Sequence, residues 1–138
     1  IVQTAELGVP VLLSTGRCPA AALQLVNSGF DVPLPLSGGI FLGGAIGLDA
    51  FGKVRRDVKL PVEVVQQVLT HIESYALTPV IFNQNELWCV KQDSWTRYLT
   101  ASGDPVPKGV GRQALRRRAE KANLLCLMGS KAVIDAAE

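Results

Sequence analysis

The apolar run Val9-Pro10-Val11-Leu12-Leu13 stops abruptly at Ser14-Thr15-Gly16-Arg17, and a helical pattern opens two residues later at Pro19. This juncture constrains the fold more than any other segment. A short, unbroken apolar run suits a strand buried on both faces, which is the usual state of a strand in a parallel sheet. Ala22, Leu23 and Val26 then share one helix face, and Asn27-Ser28-Gly29 closes the pattern. A second apolar stretch, Pro33 to Leu36, leads through Ser37-Gly38-Gly39 to Ile40-Phe41-Leu42. Strand, helix and strand at this spacing predict an α/β fold with a parallel, helix-covered sheet. Upstream, Val2, Ala5 and Leu7 followed by Gly8 read as the last turns of an amphipathic helix ending at a glycine C-cap. The chain has no initiator Met and opens inside that pattern, so a truncated chain is expected.

The texture changes after Gly43-Gly44. Ala50 to Lys53 reads as a turn, and Val54 to Val58 as a short, polar-rich strand. Pro61 sits at the opening of a helix whose stripe is Val64, Val65, Val68, Leu69 and Ile72. Thr78 to Phe82 and Leu87 to Val90 flank Asn83-Gln84-Asn85, which predicts a hairpin. Asp93 caps a short helix carrying Trp95, Tyr98 and Leu99, and Ser102 to Gly111 is read as a loop. A basic helix over Arg112 to Glu120 precedes a strand at Leu124 to Met128, and Ser130 caps a last helix.

Composition narrows the function classes. Of 138 residues, 48% are hydrophobic and 19% charged, a globular balance. A formal charge of +2 is too small to imply a polyanionic partner. Arg116-Arg117-Arg118 is read as a solvated helix face rather than a nucleic-acid patch. No apolar run approaches the ~18 residues of a membrane span, and the start has no signal-peptide pattern. Cys18, Cys89 and Cys126 are odd in number and lack metal-ligand spacing, so each is read as a small apolar group in a reducing compartment. A cytoplasmic location is expected.

Ser14-Thr15-Gly16-Arg17 is the compact polar constellation that follows a buried strand. Hydroxyls, free backbone N–H groups and a helix N-terminus at the carboxyl edge of a sheet favour an anion. Arg17 adds a bidentate donor suited to phosphoryl oxygens. The competing reading is that Ser14 or Thr15 merely caps the helix beginning near Pro19.

The stretch Gly8 to Arg17 resembles the second motif region of Cof-like haloacid-dehalogenase (HAD) phosphatases, where an apolar strand runs into Thr-Gly-Arg. The likeness continues through the Pro33–Leu36 strand, Gly52-Lys53, the Leu60-Pro61 helix opening and the Thr78–Phe82 strand. Ser37-Gly38-Gly39 stands where that family usually has Asn-Gly-Ala, so Ser37 departs from the pattern. The resemblance implies a partial Rossmann-like HAD core over residues 1–46 and an α/β cap, incomplete, over 47–138. It implies Thr15, Gly16 and Arg17 as the phosphate-binding residues, and Ser37, Gly38 and Gly39 as part of the substrate cleft. It further implies Mg²⁺-dependent hydrolysis of a small phosphorylated metabolite, a sugar phosphate or nucleotide, through an aspartyl-phosphate. No Asp-x-Asp occurs in the sequence, Gly103-Asp104 lacks a second Asp, and Lys131 falls too early for the family's catalytic Lys. No complete catalytic set is therefore present, and Mg²⁺ is not expected to bind tightly to this chain alone.

Other residues take structural readings. His71 stands alone, Trp88 and Trp95 are assigned to packing rather than substrate stacking, and Ser14 lacks a base that would make it a nucleophile. Two rival functions remain. One is a non-catalytic binding or assembly module that forms homo-oligomers through open sheet edges. The other is a nucleic-acid binder using Arg112, Arg116, Arg117, Arg118 and Lys121.

Overall fold

A computed structural model describes residues 7–29 and 35–137. The expected helix turns on Val2 and Ala5, and the Pro33-Leu34 half of the expected strand, lie outside the described residues. The chain divides into two compact units, residues 1–58 and 59–138.

The first unit contains β1 (Val11–Ser14), α1 (Pro19–Ser28), β2 (Leu36–Phe41), β3 (Ile46–Asp49) and β4 (Val54–Asp57). Its sheet runs β1-β2-β3-β4. β1 and β2 are parallel, as their connection through a helix requires. β3 and β4 add antiparallel to β2 and to each other. The β3–β4 turn is built by Asp49, whose carboxylate accepts the N–H groups of Phe51 and Lys53 (both 2.9 Å). Arg55 Nε donates to the other oxygen at 2.7 Å. Burial raises the Asp49 pKa, but these donors outweigh it and hold the group below the ordinary carboxylate value.

Sequence periodicity does not reveal β3, because Gly47 interrupts Ile46 and Leu48. Its pairing with β2 places β3 and β4 in the first compact unit. The two faces of this sheet differ. Phe41 and Ile46 are buried, while Leu12 and Ile40 on the other face are 65% and 48% exposed.

The second unit contains α2 (Val62–His71), β5 (Thr78–Asn83), β6 (Glu86–Cys89), α3 (Ser94–Ala101), β7 (Lys108–Gly109), α4 (Arg112–Arg117), β8 (Leu124–Met128) and α5 (Lys131–Ala137). Its sheet runs β7-β6-β5-β8. β5 and β6 form the expected hairpin, with Gln84 taking positive φ (52°) in the turn. β8 pairs antiparallel with the other edge of β5. The basic helix stops at Arg117, and Ala119–Lys121 is a 3₁₀ turn.

Val65, Leu69 and Ile72 of α2 pack with Ile81, Trp88, Leu115, Ala119 and Ala122 in one cluster. Val64 falls outside the stripe and is 49% exposed. The alternate residues of the same strands, Val80, Phe82, Leu87 and Cys89, are buried as well, together with Thr96 of α3. This sheet is therefore covered on both faces. Asp93 caps α3 in a full capping box: its carboxylate accepts Thr96 N–H at 3.0 Å, and Thr96 Oγ1 accepts Asp93 N–H at 2.8 Å.

Candidate functional site at the carboxyl edge of β1 and β2

β1 ends where Thr15 N–H donates to Ile40 O at 3.0 Å, the last rung of its pairing with β2. The chain then turns, and the Thr15 hydroxyl accepts the N–H of Arg17 at 3.2 Å. That bond keeps the hydroxyl on the turn and away from α1. The N-cap of α1 is Cys18, with no side-chain hydrogen bond, so the capping reading for Ser14 and Thr15 does not hold. A helix N-terminus carries partial positive charge, which favours an anion beside it.

A second turn stands beside the first. Leu42 N–H donates to Arg17 O at 3.1 Å, and Leu42, Gly43 and Gly44 take positive φ in succession (51°, 63° and 101°). Such a backbone favours glycine and costs a β-carbon residue such as Leu42 of order 1 kcal/mol. Gly16 and Gly43 have open space where a side chain would stand. Thr15 and Arg17 are half-buried, and Gly16 is exposed. Two permissive, open turns thus meet at one sheet edge, with a hydroxyl, a guanidinium and backbone amides among their groups.

The structure brings Thr15, Gly16 and Arg17 together but places Ser37, Gly38 and Gly39 elsewhere. These three lie inside β2, with Gly39 opposite Leu13, and Ile40 and Phe41 separate them from the edge. The two glycines have packing reasons. A Cβ on Gly38 (φ 133°) would stand 2.5 Å from Leu48 O, and one on Gly39 would stand 2.6 Å from the Phe41 ring. The residues that reach the edge from β2 are Leu42, Gly43 and Gly44. The Gly43-Gly44 pair directly after an apolar run was the available signal for them.

Among the described residues, no group of three His, Cys, Asp or Glu side chains comes together. These residues do not by themselves fit a Mg²⁺ ion, which takes a near-octahedral set of oxygen ligands. Lys131 pairs with Asp135 at 2.8 Å on the exposed side of α5. His71 Nε2 lies 3.0 Å from Ala137 O, and its ring tilts against Tyr75. Trp88 is buried beneath the Arg118 guanidinium (5.2 Å to the ring centroid), which removes its face from any stacking role. The three cysteines are free. Burial pushes the Cys89 and Cys126 thiols up, as expected of inert packing groups. No described helix is long and apolar enough to cross a membrane.

No family model matches this sequence, and no curated protein matches it. Solved structures do. A HAD-superfamily phosphatase from Bacteroides thetaiotaomicron is 18% identical with a TM-score of 0.72, over 97% of this chain and 48% of that one. A protein from Thermotoga maritima is 18% identical with a TM-score of 0.74, over 98% and 49%. A sugar phosphatase of HAD subclass IIB is 13% identical with a TM-score of 0.74, over 98% and 51%.

This chain has the fold of about half of a HAD-type phosphatase.

It spans about half the length of each solved structure named above. At these identities the likeness is one of fold, and it covers both compact units. The Thr-Gly-Arg turn sits within that HAD fold at the carboxyl end of a parallel strand, where open α/β sheets bind their ligands.

Proposed function

We propose that the paired turns 15–17 and 42–44 form the phosphate-facing edge of a phosphatase that acts on a small phosphorylated metabolite, a sugar phosphate or nucleotide. The observation that carries this reading is the Thr15–Arg17 turn at the end of β1, tied to Leu42 of the neighbouring turn at 3.1 Å. The Thr15 hydroxyl and the Gly16 amide donate to phosphoryl oxygens, and the Arg17 guanidinium neutralises their charge from the rim. The first compact unit is then part of the Rossmann-like core, and the second is the α/β cap. Ser37 to Gly39 support the core strand, and Leu42 to Gly44 take the cleft position.

In a complete enzyme of this class, Mg²⁺ and an aspartyl nucleophile supply charge neutralisation and the attacking oxygen. The sequence includes no Asp-x-Asp, and no metal-ligand set gathers among the described residues, so no chemical step is assigned to them. Binding, rather than turnover, is the property these 138 residues contribute.

The test is titration of the ¹⁵N-labelled chain with inorganic phosphate, beside para-nitrophenyl phosphate hydrolysis with Mg²⁺ on protein of verified intact mass. Saturable amide shifts at Gly16, Arg17, Gly43 and Gly44, weakened about tenfold in Arg17→Ala and without hydrolysis, are expected. Shifts confined to other residues overturn the phosphate reading, and hydrolysis by a chain of that mass overturns the assignment of binding without turnover.

The exposed apolar pair Leu12 and Ile40 favours a second reading, an assembly module that self-associates through the open face and β1 edge of the first sheet. Light scattering decides it: a dimer at micromolar concentration supports assembly, and a clean monomer removes it.

A further inference from the structure

The second unit holds a pocket of ≈ 160 Å³ that none of the phosphate-edge residues touch. Leu69, Ile72, Leu77, Val90 and Leu115 give it an apolar floor and wall. Around it stand three cations, Lys91, Arg112 and Arg116, and two carboxylates, Glu73 and Asp93.

Both carboxylates are already engaged. Glu73 Oε1 accepts Arg116 Nη2 at 2.8 Å, and that bond is the main reason its pKa lies below the ordinary value. For Asp93, burial raises the pKa, but the Thr78 hydroxyl and the amides and hydroxyl of the α3 capping box outweigh it, so the group stays ionised and occupied. Two of the cations are not engaged in the same way. Arg112 Nη1 stands 3.7 Å from Glu73 Oε1, beyond hydrogen-bond reach, and its side chain is 63% exposed. Lys91 makes no ion pair or side-chain hydrogen bond among the described residues. The pocket therefore combines an apolar interior with two donors of positive charge whose hydrogen bonds are unspent.

We infer that this pocket binds a small amphipathic organic anion, its apolar body against Leu77 and Val90 and its charged end on Lys91 and Arg112. The volume lies below the ~300–1,000 Å³ of sites for drug-sized ligands, which limits the ligand to a single ring or short branched chain. Apolar lining with a few converging polar groups is the pattern of a ligand site, and a paired ammonium and guanidinium select an anionic end. The inference stands apart from the phosphate edge, since it uses residues of the second unit alone.

The probe is benzoate, titrated into the ¹⁵N-labelled full chain, with benzyl alcohol as the neutral analogue and inorganic phosphate as the anion without an apolar body. Saturable shifts at Leu77, Val90, Lys91 and Arg112 are expected with benzoate, at least about tenfold tighter than with either control. The double variant Lys91→Gln/Arg112→Gln should weaken benzoate about tenfold while the remaining resonances keep their positions. Both side chains are exposed, and should the pair disturb the spectrum, Lys91→Gln alone gives the same reading at smaller amplitude. Absence of saturable shifts at these residues, equal affinity for benzyl alcohol or phosphate, or unchanged benzoate affinity in the variants overturns the inference.

Discussion

The two sheets of this protein solve the same problem differently. The second is covered on both faces, so that every residue of β5 from Thr78 to Phe82 is buried. The first buries Phe41 and Ile46 on one face and leaves Leu12 and Ile40 open on the other. The difference teaches where a closed core and an open sheet face are separated. The second unit closes its own core with α2, α3 and α4, whereas the first arranges backbone turns at an edge and leaves apolar surface exposed.

The sharpest way to break this contrast is to compare cavities. Ile81→Ala, at a fully buried position of β5, should cost about 2–5 kcal/mol. Both tryptophans lie in the second unit, so tryptophan fluorescence during urea unfolding reads that loss directly. A loss below about 1 kcal/mol would mean that the second core is far looser than its burial indicates.

Gly38→Ala attacks the first sheet by geometry rather than by volume. The positive φ alone costs about 1–3 kcal/mol, and contact with Leu48 O adds to it. Hydrogen exchange at β1 to β3 should accelerate while the tryptophan transition stays in place. Coupled movement of that transition would show that the two units do not unfold independently.

Asp93→Ala removes the capping box of α3 and should cost about 1 kcal/mol. The pH dependence of Asp93 has a definite sign. Its folded pKa is depressed, so its contribution is fully present above the unfolded value near 3.8 and is lost as pH falls through the folded one. Acid unfolding should therefore flatten in the variant, and an unchanged acid limb would assign that stability to other groups.

Leu12→Ser should have the smallest effect, within about 0.5 kcal/mol of wild type, since the side chain is largely exposed. A larger loss, appearing only at high protein concentration, would identify Leu12 as part of a self-association surface.

Much of the secondary structure was legible in the sequence because the relevant signals were local. Pro19 and Gly29 bracket α1, the α2 stripe keeps helical spacing, and Asp93 with Thr96 writes its own cap. The elements that were missed depend on partners. Gly47 hides β3, whose existence follows from pairing with β2, and β7 is two residues long and held by β6.

The candidate site divides in the same way. Thr15-Gly16-Arg17 follows its strand directly and could be read off. Ser37-Gly38-Gly39 was assigned to the cleft by its resemblance to an Asn-Gly-Ala stretch, and the packing that calls for its glycines, against Leu48 O and the Phe41 ring, has no local signal. No local pattern reports a neighbour that arrives from another strand.

The register of β5 carries a consequence for biosynthesis. Its second edge is completed by Leu124–Met128, with Thr78 opposite Met128, so a nascent chain displays that edge until nearly the whole second unit has left the ribosome. During that interval Pro79 to Phe82, an uncharged apolar segment, is a template for strand addition by other chains. Slow emergence of residues 84–123 from the ribosome would lengthen the exposure, and chaperone demand would peak then.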